Sequence, residues 1–267
     1  MKPDDGKKTK YVDFSQAAAV YDNTRLIPDY VMNYAIDILE HNKHIIKNTN
    51  ILDIGCGTGQ FAESFAGRGY VCTGIDISSD MLVIAKKKKI KKTDFKQCNA
   101  QNIPFPDNSF DTCLSSKLFL HMENWQKAVS EIFRVLKKTG CFIYMNEIGF
   151  FSNNVRKQFR LLADENGYRK RFLGEYDLDK ISSHIMNCGF QYKQYKTPEL
   201  SWQKTISYQE AYAEIENKSF AEFWMIPENL YDEMLISLAD WINKQETGKR
   251  TVQQMHPELV LDVYWNE

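Results

Sequence analysis

The chain has 267 residues, 43% of them hydrophobic and 26% charged, with a formal net charge of -1 and a pI near 6.5. That size and apolar fraction suit one ordinary globular domain with room for an insertion. Near-neutrality excludes a general attraction to phosphate backbones or anionic lipid, so neither nucleic acid nor membrane is expected as a partner.

Residues 1–10 are polar and lysine-rich, read as disordered, with no apolar targeting segment. Apolar residues at helical spacing from 14 to 39, interrupted near Pro28, predict two helices. From residue 50 the pattern changes. Short apolar runs at 51–54, 70–75, 94–98, 110–115 and 141–147 read as strands, and 59–67, 79–89 and 125–137 as the helices between them. Alternating strand and helix implies parallel strands joined by right-handed crossovers, with helices on both faces. Ligands then bind at the carboxyl ends of the strands, where the strand order reverses.

The second half reads mostly helical over 152–187, strand at 190–196, helical at 207–217 and 227–244, and strand again at 259–264. Helices inserted between the last strands are expected to stand above the sheet as a cap. Six cysteines at 56, 72, 98, 113, 141 and 188 form no Cys-x-x-Cys pair and read as reduced core thiols. The lysine run 86–89, continued by Lys91 and Lys92, reads as a solvated helix face. No run reaches the length of a membrane span, and the expected compartment is the cytoplasm.

The stretch from Ile51 to Ile54 feeds a turn, Gly55-Cys56-Gly57-Thr58-Gly59, that opens a helix. Glycine there permits a tight turn and a close approach of backbone to ligand. A nicotinamide or flavin fingerprint needs Gly or Ala where this chain has Gln60, which disfavours a dehydrogenase. Asp76, 21 positions after Gly55 at the end of the second strand, is suited to accept hydrogen bonds from both ribose hydroxyls, which points to an adenosine-containing ligand.

Further blocks follow in order: Ser78 and Met81 after Asp76, Asn102-Ile103-Pro104-Phe105 leading to Asp107-Asn108-Ser109-Phe110-Asp111, and Arg134-Val135-Leu136-Lys137. With them, 51–147 resembles the core of the class I, seven-stranded, Rossmann-like S-adenosylmethionine-dependent methyltransferases, especially the broad small-molecule group. The fold implied is α/β, a doubly wound and mostly parallel seven-stranded sheet with helices on both faces and a helical cap from the C-terminal half. The organisation implied is N-terminal helices over the cofactor (1–40), a binding core (41–150) and the remaining strands with the cap (151–267), as one structural domain. The resemblance assigns the methionine part of S-adenosylmethionine to Asp53 and the backbone of Gly55, Cys56, Gly57 and Gly59, the ribose to Asp76, and the adenine to Ile77 and Met81. Asn99, where an acidic residue is usual, accepts from the adenine amino group, with Ala100 and Gln101 offering backbone groups. Tyr21-Asp22-Asn23-Thr24-Arg25 is similar to a short motif on a covering helix, with Arg25 pairing the methionine carboxylate and Tyr21 closing over it. Lys138-Thr139-Gly140 stands where a Pro-Gly-Gly turn is usual, at a turn expected far from the site.

Transfer from a sulfonium needs chiefly a nucleophile held at near-attack distance in a dry pocket. His121, on the segment from Ser115 that borders the transferred methyl in similar proteins, is the candidate general base if the acceptor carries a proton, and a helix-capping histidine otherwise. None of the histidines is read as a metal ligand. Trp202, Phe220, Phe223, Trp224, Tyr231 and Trp241 either enclose a planar acceptor or form the core joining cap to sheet. The alternatives are a nucleic-acid methyltransferase, which lacks its Asp/Asn-Pro-Pro-aromatic motif and its Pro-Cys pair here, a carrier-protein-bound substrate, to which 14–22 has a short similarity, and a non-catalytic S-adenosylmethionine-binding module. Arsenite methylation is excluded because the cysteines do not converge on one open site. The acceptor atom and the oligomeric state are not encoded legibly.

Overall fold

The computed structural model describes residues 11–12, 14–149, 153–169 and 172–266; the polar start at 1–10 lies outside them. Seven strands form the main sheet: β1 (Asn50–Ile54), β2 (Val71–Asp76), β3 (Thr93–Gln97), β4 (Phe110–Ser116), β5 (Leu136–Ile148), β6 (Gln191–Tyr195) and, last in the chain, β9 (Glu258–Trp265). Their order is β3-β2-β1-β4-β5-β9-β6, with β1 to β5 parallel and β9 antiparallel to both its neighbours. The expected doubly wound, mostly parallel sheet is therefore present. Its order reverses between β1 and β4.

Strand parity decides which core each side chain joins. Ile51, Leu114, Cys141, Ile143 and Met145 face one side, under α2 (Asp29–His41), α3 (Gln60–Gly67) and α4 (Ser79–Lys87). Leu52, Ile54, Cys113, Phe142 and Tyr144 face the other, under α5 (Trp125–Val135) and α7 (Leu178–Asn187). On α5 the apolar stripe Trp125, Ala128, Val129, Ile132 and Val135 is buried, and Val129 and Ile132 each contribute about 1.5–3 kcal/mol through burial. The lysine run marks where α4 ends: Lys86 and Lys87 occupy its last turn, a favourable place for cations beside the helix carbonyls.

A short helix α1 (Tyr21–Arg25) precedes α2. The cap consists of α6 (Asn154–Glu165), α8 (Tyr208–Glu216) and α9 (Glu228–Asn243) around Phe159, Ile215, Phe223, Tyr231 and Leu238, all nearly or wholly buried. Asn153 caps α6 by accepting from Arg156 N, and Ser207 with Glu210 closes a capping box on α8.

Several expectations need correcting. The stretch 152–187 is mostly helical among its described residues, as expected, but as two helices, α6 and α7, separated by a non-helical segment that includes 172–177. The cap is not purely helical: β7 (Lys204–Ser207) and β8 (Val252–Met255) pair antiparallel beneath it. Neither four-residue strand has a pattern long enough to show period 2. Lys138, Thr139 and Gly140 lie within β5, at an irregularity opposite Phe110 and Thr112, where a Cβ on Gly140 would stand 2.5 Å from Asp111 O. Of the cysteines, Cys188 is exposed and Cys98 half-buried, while the other four are buried as expected; all six are free. No helix among the described residues is long and apolar enough to cross a membrane.

Candidate active site

The carboxyl ends of β1, β2, β4 and β5 open into a cavity of about 310 Å³ between sheet, N-terminal segment and cap. Gly55 and Gly57 after β1, Asp76 at the end of β2, Ser116 at the end of β4 and Tyr144, Asn146, Glu147 and Ile148 on β5 form its floor. Gly55, Gly57 and Gly59 all have positive φ, at 72°, 53° and 82°. Gly59 has a second constraint, since a Cβ there would stand 2.9 Å from the Phe95 ring. Asp76 braces the turn: Oδ2 accepts from Gly57 N at 2.8 Å, and Oδ1 accepts from Ser78 N at 2.9 Å. Ser78 in turn caps α4 by accepting from Met81 N. The carboxylate on the cavity wall is thereby fixed relative to the glycine backbone.

Of the residues singled out in the sequence, Tyr21, Arg25, Gly55, Gly57, Asp76, Ile77, Met81, Asn99, Ala100, Gln101 and His121 lie together on the wall, and Cys56 lines an adjoining recess with Gly57 and Thr58. Asp53, Gly59 and Ser115 do not reach it. Asp53 is 1% exposed beneath the turn, where Ala62 N–H at the start of α3 donates to it and Oδ2 has no hydrogen-bond partner. Burial first, then the charge of Asp76, pushes its carboxyl up to about 7. Ser115 is fully buried and donates to Ile54 O at 2.9 Å, locking β4 to β1, so it is Ser116 that meets the cavity. Parity explains the exchange, since adjacent strand residues point to opposite sides.

Asn99 Oδ1 accepts from Gln101 N at 2.9 Å, and the Gln101 amide donates to Glu123 O at 2.5 Å. Arg25 is 8% exposed, lies 4.6 Å from the Tyr21 ring centroid, and donates from Nη2 to Ser219 O at 2.7 Å, tying α1 to the cap. Above them, Val12 N donates to His121 O at 2.9 Å, and Phe14 packs edge-on against His121, Tyr21 and Trp224. His121 itself is enclosed. Its Nδ1 is buried with no hydrogen-bond partner, and burial first, then Arg25 and Lys117, pushes the imidazole down to about 3. It is therefore neutral across the physiological range, and as a base much weaker than its ordinary value suggests.

Sequence reasoning missed the charged part of the wall. Lys117, in the left-handed region at φ 50°, pairs with Glu147 at 2.9 Å. Arg156 and Arg160 of α6 both pair with Glu222, at 2.5 and 3.0 Å, and all three line the cavity. The spacing Arg156 to Arg160, one helical turn, was the available signal, but its partner is 62 residues further on. Conversely, the aromatic stripe does not line the cavity. Phe220, Phe223 and Tyr231 fill the cap core, Trp241 packs against it, Trp202 joins the sheet core, and Trp224 donates to Lys218 O. The cavity's own aromatics are Tyr11, Phe14, Tyr21, Tyr144, Phe172 and Tyr176. Gly174 holds the last pair in place: its N–H donates to Leu120 O at 3.0 Å, and a Cβ there would stand 2.0 Å from Phe119 O. Among the described residues, no three His, Cys, Asp or Glu side chains gather to hold a metal.

Residues 52–144 match the methyltransferase domain family. Those residues carry a methyltransferase domain. The chain is 35% identical over 100 residues to YcgJ, an uncharacterized methyltransferase of Bacillus subtilis, a match covering 36% of this chain and 40% of YcgJ. The crystal structure of YcgJ superposes with a TM-score of 0.58 over 90% of this chain and 100% of that one, at 21% identity. A malonyl-[acyl-carrier protein] O-methyltransferase of Buchnera aphidicola is 32% identical over 131 residues, 49% of this chain and 51% of that protein. Demethylmenaquinone methyltransferase of Tropheryma whipplei is 28% identical over 207 residues, covering 68% and 84%. The chain thus spans about half or less of the length of the first two of these relatives.

Proposed function

We propose that this protein transfers a methyl group from S-adenosylmethionine to a small-molecule acceptor held in the cavity between sheet and cap. One observation carries the reading: Asp76 presents its carboxylate to the same cavity as the open glycine turn, at the point where the strand order reverses. The wall fits the cofactor on its own geometry. A Cβ on Gly57 would meet nothing nearer than Tyr21 Cε1 at 4.0 Å, so its backbone stands open to a ligand. Asp76 is placed for two ribose hydroxyls, Ile77 and Met81 for the faces of adenine, Asn99 to Gln101 for its edge, and Tyr21 with Arg25 for the methionine carboxylate.

S-adenosylmethionine supplies a methyl already activated on a sulfonium sulfur. The chain's part is to hold, orient and keep water out. The N-terminal segment, clipped to His121 and Met122, covers the cavity from one side, and Phe172 and Tyr176 cover it from another. His121 is assigned to orienting a proton-bearing acceptor through Nδ1, not to storing the proton, because a buried imidazole held near 3 is a poor base. A cytoplasmic location belongs to the same reading, supported by six free cysteines.

The test is isothermal titration with S-adenosylmethionine, S-adenosylhomocysteine and NAD side by side. Binding of the first two and not the third is expected. Failure of both adenosyl ligands on a folded sample would overturn the assignment; binding without turnover of any acceptor would leave a cofactor-binding module.

A further inference from the structure

The sheet face toward α7 carries a buried polar group that neither the cofactor assignment nor the hydrophobic core uses. Asp262 of β9 is 1% exposed, and its hydrogen bonds among the described residues all come from uncharged side chains. Oδ1 accepts from Tyr192 OH at 2.8 Å and from Gln194 Nε2 at 2.9 Å, both on β6, and Oδ2 accepts from Asn146 Nδ2 at 3.3 Å. Asn146 stands on β5, opposite Val260 and diagonal to Asp262. Neutral donors compensate a buried carboxylate less well than a cation does, so packing alone would be served as well by an apolar residue at 262.

The carboxylate has a specific effect on Asn146. A carboxylate oxygen has no hydrogen to give, so the amide meets it with its NH2 end, and the amide oxygen points the other way. Asn146 is 5% exposed and lines the cavity with Tyr144 and Glu147 near the carboxyl end of β5. Its Oδ1 takes no hydrogen bond from any described residue and keeps accessible surface. The cavity floor therefore presents a hydrogen-bond acceptor whose direction is set from beneath.

We propose that Asn146 Oδ1 recognises the methyl acceptor by taking a hydrogen bond from one of its O–H or N–H groups, and that Asp262 is a positioning residue that fixes which end of the amide faces that molecule. This rests on the cavity being the methyl-transfer site: with S-adenosylmethionine along the ends of β1 and β2, the floor over β5 is left to the acceptor. The class selected is a hydrogen-bond donor, such as an alcohol, phenol or amine, because a carbonyl at the same place would set two acceptor oxygens against each other. Tyr144, Phe172 and Tyr176 on the same wall suit a planar molecule. The floor orients the acceptor, and the cap is left to set its shape.

The experiment titrates phenol and acetophenone into the full chain saturated with S-adenosylhomocysteine, by ligand-detected NMR, and reads the ratio of their affinities in wild type, Asn146→Leu and Asp262→Asn. Both probes carry the same ring, but one offers an O–H and the other only a carbonyl, and comparing the ratio across variants cancels their difference in hydrophobicity. The phenol preference is expected to fall about fivefold in Asn146→Leu, the worth of one net hydrogen bond. Asp262→Asn is expected to shift the ratio further, toward acetophenone. The amide oxygen at 262 stays with Tyr192 and Gln194, its NH2 takes the place of Oδ2, and Asn146 turns over to show its own NH2 to the cavity. Loosened packing lowers both affinities together and does not reverse their order, and Asn146→Leu decides the recognition role even where Asp262→Asn does not fold. Phenol that does not bind wild type, or one ratio shared by wild type and Asn146→Leu, with S-adenosylhomocysteine still bound, would overturn the proposal alone. A shift in Asn146→Leu with none beyond it in Asp262→Asn would overturn the positioning role of Asp262. Loss of S-adenosylhomocysteine binding in wild type would remove the methyl-transfer reading and this proposal with it.

Discussion

In the sheet, alternate residues of β1, β4 and β5 enter opposite cores, so the position of a side chain along its strand already fixes whether it meets α2, α3 and α4 or α5 and α7. In the cap, α6, α8 and α9 gather Phe159, Phe223 and Tyr231 into a core of their own and turn Arg156, Arg160 and Glu222 toward the cavity. One region is periodic and reads locally; the other is held by contacts between segments 60 or more residues apart. The difference matches a division of labour. A fixed cofactor suits a fixed scaffold, and acceptor choice suits a region whose residues change without disturbing the strands.

The largest expected effect separates the two regions by stability. Phe223→Ala removes a ring that packs edge-on against Phe159 at 4.8 Å in the cap core, at a cost of about 3–5 kcal/mol. Thermal unfolding is expected to begin earlier, while affinity for S-adenosylhomocysteine changes less than tenfold. Abolished binding in a folded variant would show that the cap core supports the cofactor directly and would break the comparison.

Acid titration sharpens it from the sheet side. His121 is held near 3 in the folded chain but titrates near its ordinary value when unfolded, so below about pH 6.5 only the unfolded chain takes up that proton and stability falls as pH drops. Asp53 is held near 7, so the folded chain keeps a proton that the unfolded one releases, and its contribution falls as pH rises from about 4 to 7. The two slopes oppose each other, each amounting to about 4–5 kcal/mol at most. Relative to wild type, Asp53→Asn should lose stability as pH is lowered through this window and His121→Phe as it is raised. Parallel curves from urea unfolding at pH 4, 5, 6 and 7 would contradict the burial of both groups.

A smaller effect tests the wall against what lies beneath it. Asp76→Asn should weaken S-adenosylhomocysteine by about 10- to 100-fold, because charge-assisted hydrogen bonds to the ribose become neutral ones. Asp53→Asn, off the wall, should leave affinity within about threefold, and equal losses from the two would show that Asp53 reaches the ligand. Smaller than the loss at Asp76 is that from Arg25→Gln, expected to cost about tenfold in affinity through the methionine carboxylate, together with a looser join to Ser219 O. Unchanged affinity would leave Arg25 as a tether between α1 and the cap.

The sequence by itself determined the parallel sheet, the glycine turn and Asp76, because period-2 and period-3.6 patterns and glycine spacing are local consequences of backbone geometry. Resemblance to the methyltransferase core, not periodicity, pointed to Ile77, Met81 and Asn99 to Gln101, which follow strand ends within a few residues and line the wall. Tertiary structure alone decided the rest. It put Asp53 under the turn and Ser116, not Ser115, on the wall. It spent the cap aromatics on packing, and it buried His121 beside Arg25 and Lys117 until its basicity fell. It also brought Glu222 to Arg156 and Arg160. Burial, desolvation and charge pairing depend on which distant segments meet, and no pattern within a single segment encodes that.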